Sequence, residues 1–289
     1  MRMEGREASE QVEDRRGMRF PGGGRGAGVG CFGLLAVLVI AFLTGADPNQ
    51  ILGLLGLVQQ MTPPAVEQQV PAGEARPDDP QARFVGQVLK GTEEAWGQVF
   101  SRGGNSYEKP TLVLFDGQVE SACGFTSSAV GPFYCPADRK VYLDLAFFRE
   151  LDQRFGAPGD FAQAYVVAHE VGHHVQNLLG VSDQVTALQQ RARSQEQAND
   201  LSIRLELQAD CFAGVYGHFD QKYLEEGDVE EGLRAAAAIG DDMIQKQTQG
   251  QSTPESWTHG SAEMRVRWLR QGLRSGDPAS CDTFKAGSL

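Results

Sequence analysis

The chain has 289 residues, with 26 basic and 38 acidic side chains and a formal net charge of −12 at pH 7. This length fits one sizeable domain with an appendage. The acidic balance, without a basic patch, excludes nucleic acid as a partner.

The first predicted element is a transmembrane helix over residues 26–46. This stretch contains no charged side chain, and as a helix it spans about 31 Å, enough for the core of a bilayer. Arginines precede it and little positive charge follows it, so the positive-inside rule makes residues 1–25 a cytoplasmic tail. The sequence therefore predicts a single-pass membrane protein with an extracytoplasmic domain. A cleaved signal peptide is the alternative interpretation.

Residues 47–80 are predicted to form a juxtamembrane segment and a proline-rich linker. The folded domain is expected over residues 81–289. It begins with a helix over 81–101, where apolar residues recur at helical spacing. Short apolar runs at 112–115 and 141–145 predict two strands.

After these strands the chain is predicted to be mostly helical. The predicted helices cover residues 146–155, 160–179, 195–219, 228–248 and 261–274. A small sheet followed by many helices indicates a mostly helical α+β fold class.

The most informative motif lies in the helix predicted over 160–179. It reads His169-Glu170-Val171-Gly172-His173-His174. Residues four apart share one face of a helix, so His169 and His173 can bind one metal ion. Glu170 can accept a proton from a water molecule that the metal activates, which is the HExxH arrangement of zinc peptidases. A chance match is the alternative, and His174 is excluded as a ligand because it lies about 140° around the helix from His169.

A third metal ligand is expected from a second helix, because Gln176 and Leu179 exclude the longer HExxHxxGxxH pattern. Glu206 is the predicted ligand. Asp210, four residues later on the same face, is predicted to orient a ligating histidine. Gly172 leaves room for such a helix to approach closely. An exposed acidic face is the alternative, and it fits less well because apolar residues crowd around both acids.

These motifs together resemble the neutral zinc metallopeptidase family of bacterial membrane-anchored proteins, which is distantly similar to gluzincins such as thermolysin. The resemblance covers most of the chain. It rests on Cys123-Gly124, Gly131-Pro132-Phe133-Tyr134-Cys135-Pro136, residues 141–145, the HExxHH string, residues 206–210, Thr258-His259-Gly260-Ser261 with Arg265, and residues 281–284. It implies a zincin-like fold, zinc as the cofactor, and peptidase activity on a peptide or protein substrate. Such a fold needs a strand near the motif helix to pair with substrate backbone, and 141–145 or 112–115 is the candidate.

Two further site residues follow from the resemblance. In gluzincin-like sites a later histidine or tyrosine donates a hydrogen bond to the oxyanion, and His259 fits by order and type. Arg265 is expected to pair with Asp210 or Asp144 and to hold its helix against the core.

Four of the five cysteines lie in the domain predicted to be extracytoplasmic, where disulfides persist. Four cysteines permit three pairings. Cys123 and Cys135 flank a short loop, and pairing them leaves Cys211 with Cys281. Free buried thiols are the alternative if the domain is not outside.

The resulting hypothesis is a membrane-anchored zinc metallopeptidase in which Glu170 is the general base. Two alternatives stay open on the ligand set alone: a non-catalytic, metal-stabilised binding module of the envelope, and a zinc amidase acting on cell-wall peptides. The intact Glu170 favours an enzyme, since a binding module has no need of a base.

Overall fold

The computed structural model describes residues 1–18 and 79–289, and these contain short strands and a larger number of helices. The strands are β1 (Val12–Asp14), β2 (Thr111–Phe115), β3 (Gln118–Ser121), β4 (Gly124–Ser127), β5 (Phe133–Cys135) and β6 (Lys140–Asp144). The helices are α1 (Pro80–Arg102), α2 (Ala146–Gln153), α3 (Asp160–Leu178), α4 (Val181–Gln189), α5 (Gln195–Phe219), α6 (Asp228–Ala238), α7 (Asp241–Gln249) and α8 (Ala262–Ser275). The mostly helical α+β arrangement agrees with the prediction from sequence.

Four strands form one sheet in the order β1-β2-β6-β5. The pairs β1–β2 and β2–β6 are parallel, whereas β5 runs antiparallel to β6. The central strands are buried along nearly their whole length, as expected for parallel strands that are covered on both faces. Leu112 and Leu143 pack with the helices, whereas Val113 and Tyr142 belong to a second apolar cluster.

The two strands predicted to pair with substrate are both internal in this sheet. The strand at residues 141–145 lies between β2 and β5, and the strand at 112–115 lies between β1 and β6. Their backbone groups are therefore already paired, and that prediction is corrected. The edge strand that packs against α3 is β5.

Residues 1–17, placed in a cytoplasmic tail by the sequence, form part of the same compact unit as the domain. Val12 lies opposite Leu112 in the parallel ladder. The guanidinium of Arg6 is buried and lies 3.1 Å from Asp220 Oδ1 and 3.0 Å from Glu94 Oε2. β1 and β2 therefore belong to one folded unit.

The structure also divides the helix predicted over 228–248 into α6 and α7. Gly240 between them is extended, with ψ of 142°, and a Cβ there would lie 2.4 Å from the backbone nitrogen of Ala262. The chain therefore turns at Gly240, where the start of α8 approaches closely.

The transmembrane part of the predicted fold class is corrected. Among the helices of residues 1–18 and 79–289, none is long and apolar enough to cross a membrane. The span predicted over 26–46 lies outside the described residues, as does nearly all of the linker predicted over 47–80.

Candidate metal centre

Two helices meet closely at the HExxH motif. A Cβ placed on Gly172 of α3 would lie 3.0 Å from the carbonyl oxygen of Ala209 and 3.1 Å from its Cα. These distances are tighter than most real Cβ contacts, so a larger residue at position 172 would displace α5 by a few tenths of an ångström. The contact sets Glu206, about one turn before Ala209, against the two histidines of the motif.

Those three side chains form one cluster of possible metal ligands. Single ligand atoms of His169, His173 and Glu206 all lie within 4.8 Å of one another. Glu206 Oε2 is 3.2 Å from His169 Nε2, and Glu206 Oε1 is 3.4 Å from His173 Nε2. Two imidazole nitrogens and one carboxylate are the protein ligands of many catalytic zinc sites.

The second ring nitrogen of each histidine has its own partner. His169 Nδ1 lies 2.9 Å from Asp210 Oδ1, and His173 Nδ1 lies 2.9 Å from Gln176 Oε1. Gln176 is fixed in turn, since its amide donates to the carbonyl of Leu205 over 2.7 Å. Each Nδ1–H therefore donates to an oxygen and each Nε2 is directed at Glu206, which is the orientation that a zinc ion requires.

Asp210 is the buried centre of the hydrogen-bond network behind the histidines. Besides facing His169, it accepts from the Tyr165 hydroxyl over 2.5 Å and from Nε and Nη2 of Arg265, both over 2.9 Å. Arg265 also donates to the Tyr165 hydroxyl over 3.1 Å. The structure thus pairs Arg265 with Asp210, and Asp144 instead accepts from the backbone of Gly117.

The acidic and basic side chains of this cluster shift one another's pKa values. Burial lowers the pKa of His169, but the charge and hydrogen bond of Asp210 outweigh burial and raise the pKa to about 10. Burial raises the pKa of Glu206. The positive charges of the two histidines and their hydrogen bonds to its carboxylate outweigh burial, and they hold this pKa well below its ordinary value. The metal-free cluster therefore holds a proton, which zinc has to displace.

Glu170 has a different environment from Glu206. It is 8% exposed, and burial raises the pKa of its carboxyl while the nearby charges of His169 and His173 lower it. Among the described residues, no side chain hydrogen-bonds to its carboxylate. A carboxylate with a raised pKa and free oxygens, beside a cluster of possible metal ligands, is suited to accept and return a proton.

His259 is joined to Asp241 and not to the ligand cluster. Its side chain is 53% exposed, and its Nδ1 lies 3.2 Å from Asp241 Oδ1. Asp241 also accepts from the backbone N–H groups of Thr258, His259 and Gly260. The hydrogen bond to Asp241 raises the pKa of His259, burial lowers it, and the charge of Glu206 raises it further. The Nδ1 bond leaves Nε2 as the free nitrogen of this ring.

Sequence reasoning missed several residues that support the site. Tyr165, Gln176 and Asp241 orient Asp210, His173 and His259 respectively. A signal existed for the first two, because Tyr165 precedes His169 by four residues and Gln176 follows His173 by three, so each pair shares a helix face. No such signal exists for Asp241, which reaches His259, on the loop before α8, from the start of α7.

The four cysteines of the domain form two disulfides. Cys123 is bonded to Cys135, and Cys211 is bonded to Cys281. The first joins the turn between β3 and β4 to β5, and the second joins α5 to the segment after α8. This confirms the pairing in which the short loop is closed.

Comparisons with known proteins identify relatives and a family of this chain. The chain is 48% identical to "Uncharacterized protein YpfJ" of Escherichia coli (strain K12), over 98% of this chain and 99% of that protein. It is 49% identical to "Uncharacterized protein Rv2575" of Mycobacterium tuberculosis, over 63% of this chain and 65% of that protein. No solved structure matches. The sequence profile described as "Putative neutral zinc metallopeptidase" matches residues 1–284, so the chain belongs to this zinc metallopeptidase family.

Proposed function

We propose that the protein hydrolyses peptide bonds, with His169, His173 and Glu206 holding zinc and Glu170 acting as the general base. The observation that carries this proposal is the placement of Glu170, a buried carboxylate with a raised pKa beside both histidines. Zinc bound here would supply the Lewis acidity that activates water for attack on a carbonyl.

The residues of the chain then have separate tasks. Glu170 accepts the proton of the attacking water and returns it to the leaving amine. Asp210 holds His169, and Gln176 holds His173, so that both Nε2 atoms stay directed at the metal. His259 is fixed through Nδ1 by Asp241, and in its protonated form it would donate from Nε2 to the developing oxyanion.

The two disulfides support an oxidising location outside the cytoplasm for the folded domain, and residues 1–17 would share this location because β1 pairs with β2.

The test is hydrolysis of a peptide library by the zinc-loaded full chain. Glu170→Gln should retain zinc and lose turnover by about 100-fold or more, because it removes the base and no ligand. Glu196→Gln, which changes an exposed glutamate in the first turn of α5, is the matched control and should match wild type. Equal turnover by wild type and Glu170→Gln would refute the proposed mechanism. Absence of turnover in the wild type would refute the function.

A further inference from the structure

Two side-chain amides, those of Gln176 and Gln208, form a hydrogen-bond relay behind the predicted metal ligand His173. Gln176 Oε1 lies 2.9 Å from His173 Nδ1, and Gln176 Nε2 donates to Gln208 Oε1 over 3.2 Å. Gln208 Nε2 donates in turn to the carbonyl oxygen of Cys281 over 3.1 Å. Gln208 lies on α5, two residues after Glu206. The amide relay therefore runs from the segment after α8, through α5, to α3.

The direction of each hydrogen bond in the amide relay follows from its far end. The carbonyl oxygen of Cys281 can only accept, so the nitrogen of Gln208 faces it and the oxygen of Gln208 faces Gln176. This oxygen can also only accept, which turns the nitrogen of Gln176 toward Gln208 and leaves the oxygen of Gln176 for His173. His173 Nδ1 therefore carries the proton, and Nε2 keeps the lone pair that a metal ligand needs.

Burial makes this arrangement costly to change. Gln176 is fully buried, and Gln208 is 7% exposed. The nitrogen of Gln176 has two hydrogens, and it also donates to the carbonyl oxygen of Leu205 over 2.7 Å. Without Gln208, one of these hydrogens would lose its acceptor, and an unpaired buried donor is unfavourable. Both acceptors therefore stabilise the orientation of Gln176 that serves His173.

A covalent bond holds the far end of the amide relay. Cys281 is fully buried and is joined to Cys211, which follows Gln208 by three residues on α5. A second contact lies beside this disulfide, where the Thr283 hydroxyl donates to the carbonyl oxygen of Arg204 over 2.7 Å. The disulfide and this hydrogen bond fix the Cys281 carbonyl against α5, within reach of the Gln208 amide.

The other histidine of the motif is held in a different way. His169 Nδ1 lies 2.9 Å from Asp210 Oδ1, and Asp210 is held in turn by Arg265. The hydrogen bonds described for the Gln208 side chain belong to the His173 side. A change at Gln208 is therefore expected to act on His173 and to spare His169.

We infer that Gln208 is a positioning residue that connects the Cys281 carbonyl to His173, so that the disulfide Cys211–Cys281 supports zinc binding through the amide relay. The inference rests on the proposed function, because it concerns the zinc site of the same centre. Gln208 acts through Gln176 and is not itself a ligand.

Nuclear magnetic resonance of the zinc-loaded full chain can observe the two histidines separately. The chain has five histidines, so labelling histidine alone with a nitrogen isotope gives a small set of ring N–H signals. Gln208→Met removes both polar atoms and keeps a similar size. Gln184→Met, at an exposed position on α4, is the matched control. Competition with a chelating dye measures the zinc affinity of each variant and requires no turnover.

The expected effect of Gln208→Met is confined to one histidine. The Nδ1–H signal of His173 should shift and exchange faster with water, because Gln176 has lost one of its two acceptors. The Nδ1–H signal of His169 should stay as in the wild type. Zinc affinity should fall about tenfold, the lower end of the effect of losing the partner that orients a ligating histidine. Gln184→Met should change neither the signals nor the affinity.

A double-mutant cycle tests the part played by the disulfide. The variant with Cys211→Ala and Cys281→Ala keeps the carbonyl of residue 281 and frees it from its covalent link to α5. This variant should also shift the His173 signal and weaken zinc binding. Adding Gln208→Met to it should cost little further zinc affinity, because both changes act through the same relay.

Three outcomes would overturn the inference. Wild-type zinc affinity with an unchanged His173 signal in Gln208→Met would show that His173 does not depend on Gln208. Equal shifts of the His169 and His173 signals would indicate a general loosening between α3 and α5. Fully additive losses of zinc affinity in the cycle would separate the disulfide from Gln208. A wild type that binds zinc and hydrolyses no peptide would reject the peptidase proposal, and the same two signals would still decide the role of Gln208.

Discussion

Replacing Asp210 by asparagine removes a negative charge on which both the metal centre and the helix packing depend. The carboxylate is fully buried and accepts two hydrogen bonds from Arg265 and one from Tyr165. It also faces His169 Nδ1 at 2.9 Å. The substitution Asp210→Asn keeps the size of the side chain and removes the charge, so its effects report on electrostatics and not on a cavity.

The expected cost follows from the partner that is left behind. Arg265 is 3% exposed, and breaking a buried ion pair by removing one partner costs about 3–5 kcal/mol in free energy of unfolding. Burial raises the pKa of Asp210, but the charges of Arg265 and His169 outweigh it and lower the pKa to about 2. A carboxyl with a lowered pKa stabilises the fold above its unfolded pKa of about 3.9. The penalty of Asp210→Asn should therefore be complete at pH 7 and shrink as the pH falls from about 4 toward 2.

Urea unfolding of the metal-free full chain, followed by tryptophan fluorescence, measures this cost. The double variant Asp210→Asn with Arg265→Met should recover part of the lost stability, because no unpaired buried charge remains. A cost below about 1 kcal/mol for Asp210→Asn alone would refute the electrostatic account.

Zinc titration of the same variant separates the roles of the two acids on α5. Asp210→Asn should weaken zinc binding by about 10–100-fold, since it removes the acceptor that orients His169. Glu206→Gln should nearly abolish binding, because it removes a ligand and its charge. If Glu206→Gln bound zinc like the wild type and Asp210→Asn did not, the two roles would be exchanged.

Two further predictions concern pH and the N-terminal strand. Because the raised pKa of His169, about 10, keeps a proton on the metal-free cluster at neutral pH, apparent zinc affinity should rise about tenfold per pH unit from pH 6 to 8. Calorimetry in buffers of different ionisation enthalpy measures the proton released when zinc binds. A zinc affinity independent of pH would contradict the conclusion that the metal-free cluster of His169, His173 and Glu206 holds a proton. Arg6→Leu should lower the free energy of unfolding by about 3–5 kcal/mol, because it leaves the buried Asp220 without its partner. In that measurement the exposed Arg234→Leu on α6 is the control, and equal stability of both variants would show that residues 1–17 contribute little.

The sequence predicted the site better than the sheet. The motif His169 to His174 and the pair Glu206 and Asp210 lie on long helices, where spacing alone states which side chains share a face. The structure brings both segments together at the expected place. Whether Glu206 binds zinc and Asp210 orients a histidine stays a prediction until the titrations are done.

The strands were harder to predict because their signals are short. β1 has three residues, two of them acidic, and it is a strand because it pairs with β2 about 100 residues later in the chain. β5 also has three residues. Pairing between distant segments leaves no local pattern, so neither the edge position of β5 nor the inclusion of residues 1–17 in the domain was accessible from periodicity.

The candidate metal centre depends on α8 as well as on the motif. A Cβ on Gly272 of α8 would lie 1.9 Å from the carbonyl oxygen of Cys211 on α5, so glycine is needed for the two helices to pack this closely. That packing brings Arg265, two turns before Gly272, within 2.9 Å of Asp210. The disulfide from Cys211 to Cys281 fixes the chain beyond α8 to the same helix. The orientation of His169 therefore depends on contacts nearly one hundred residues later in the sequence, which ties the geometry of the predicted metal ligands to complete folding of the domain.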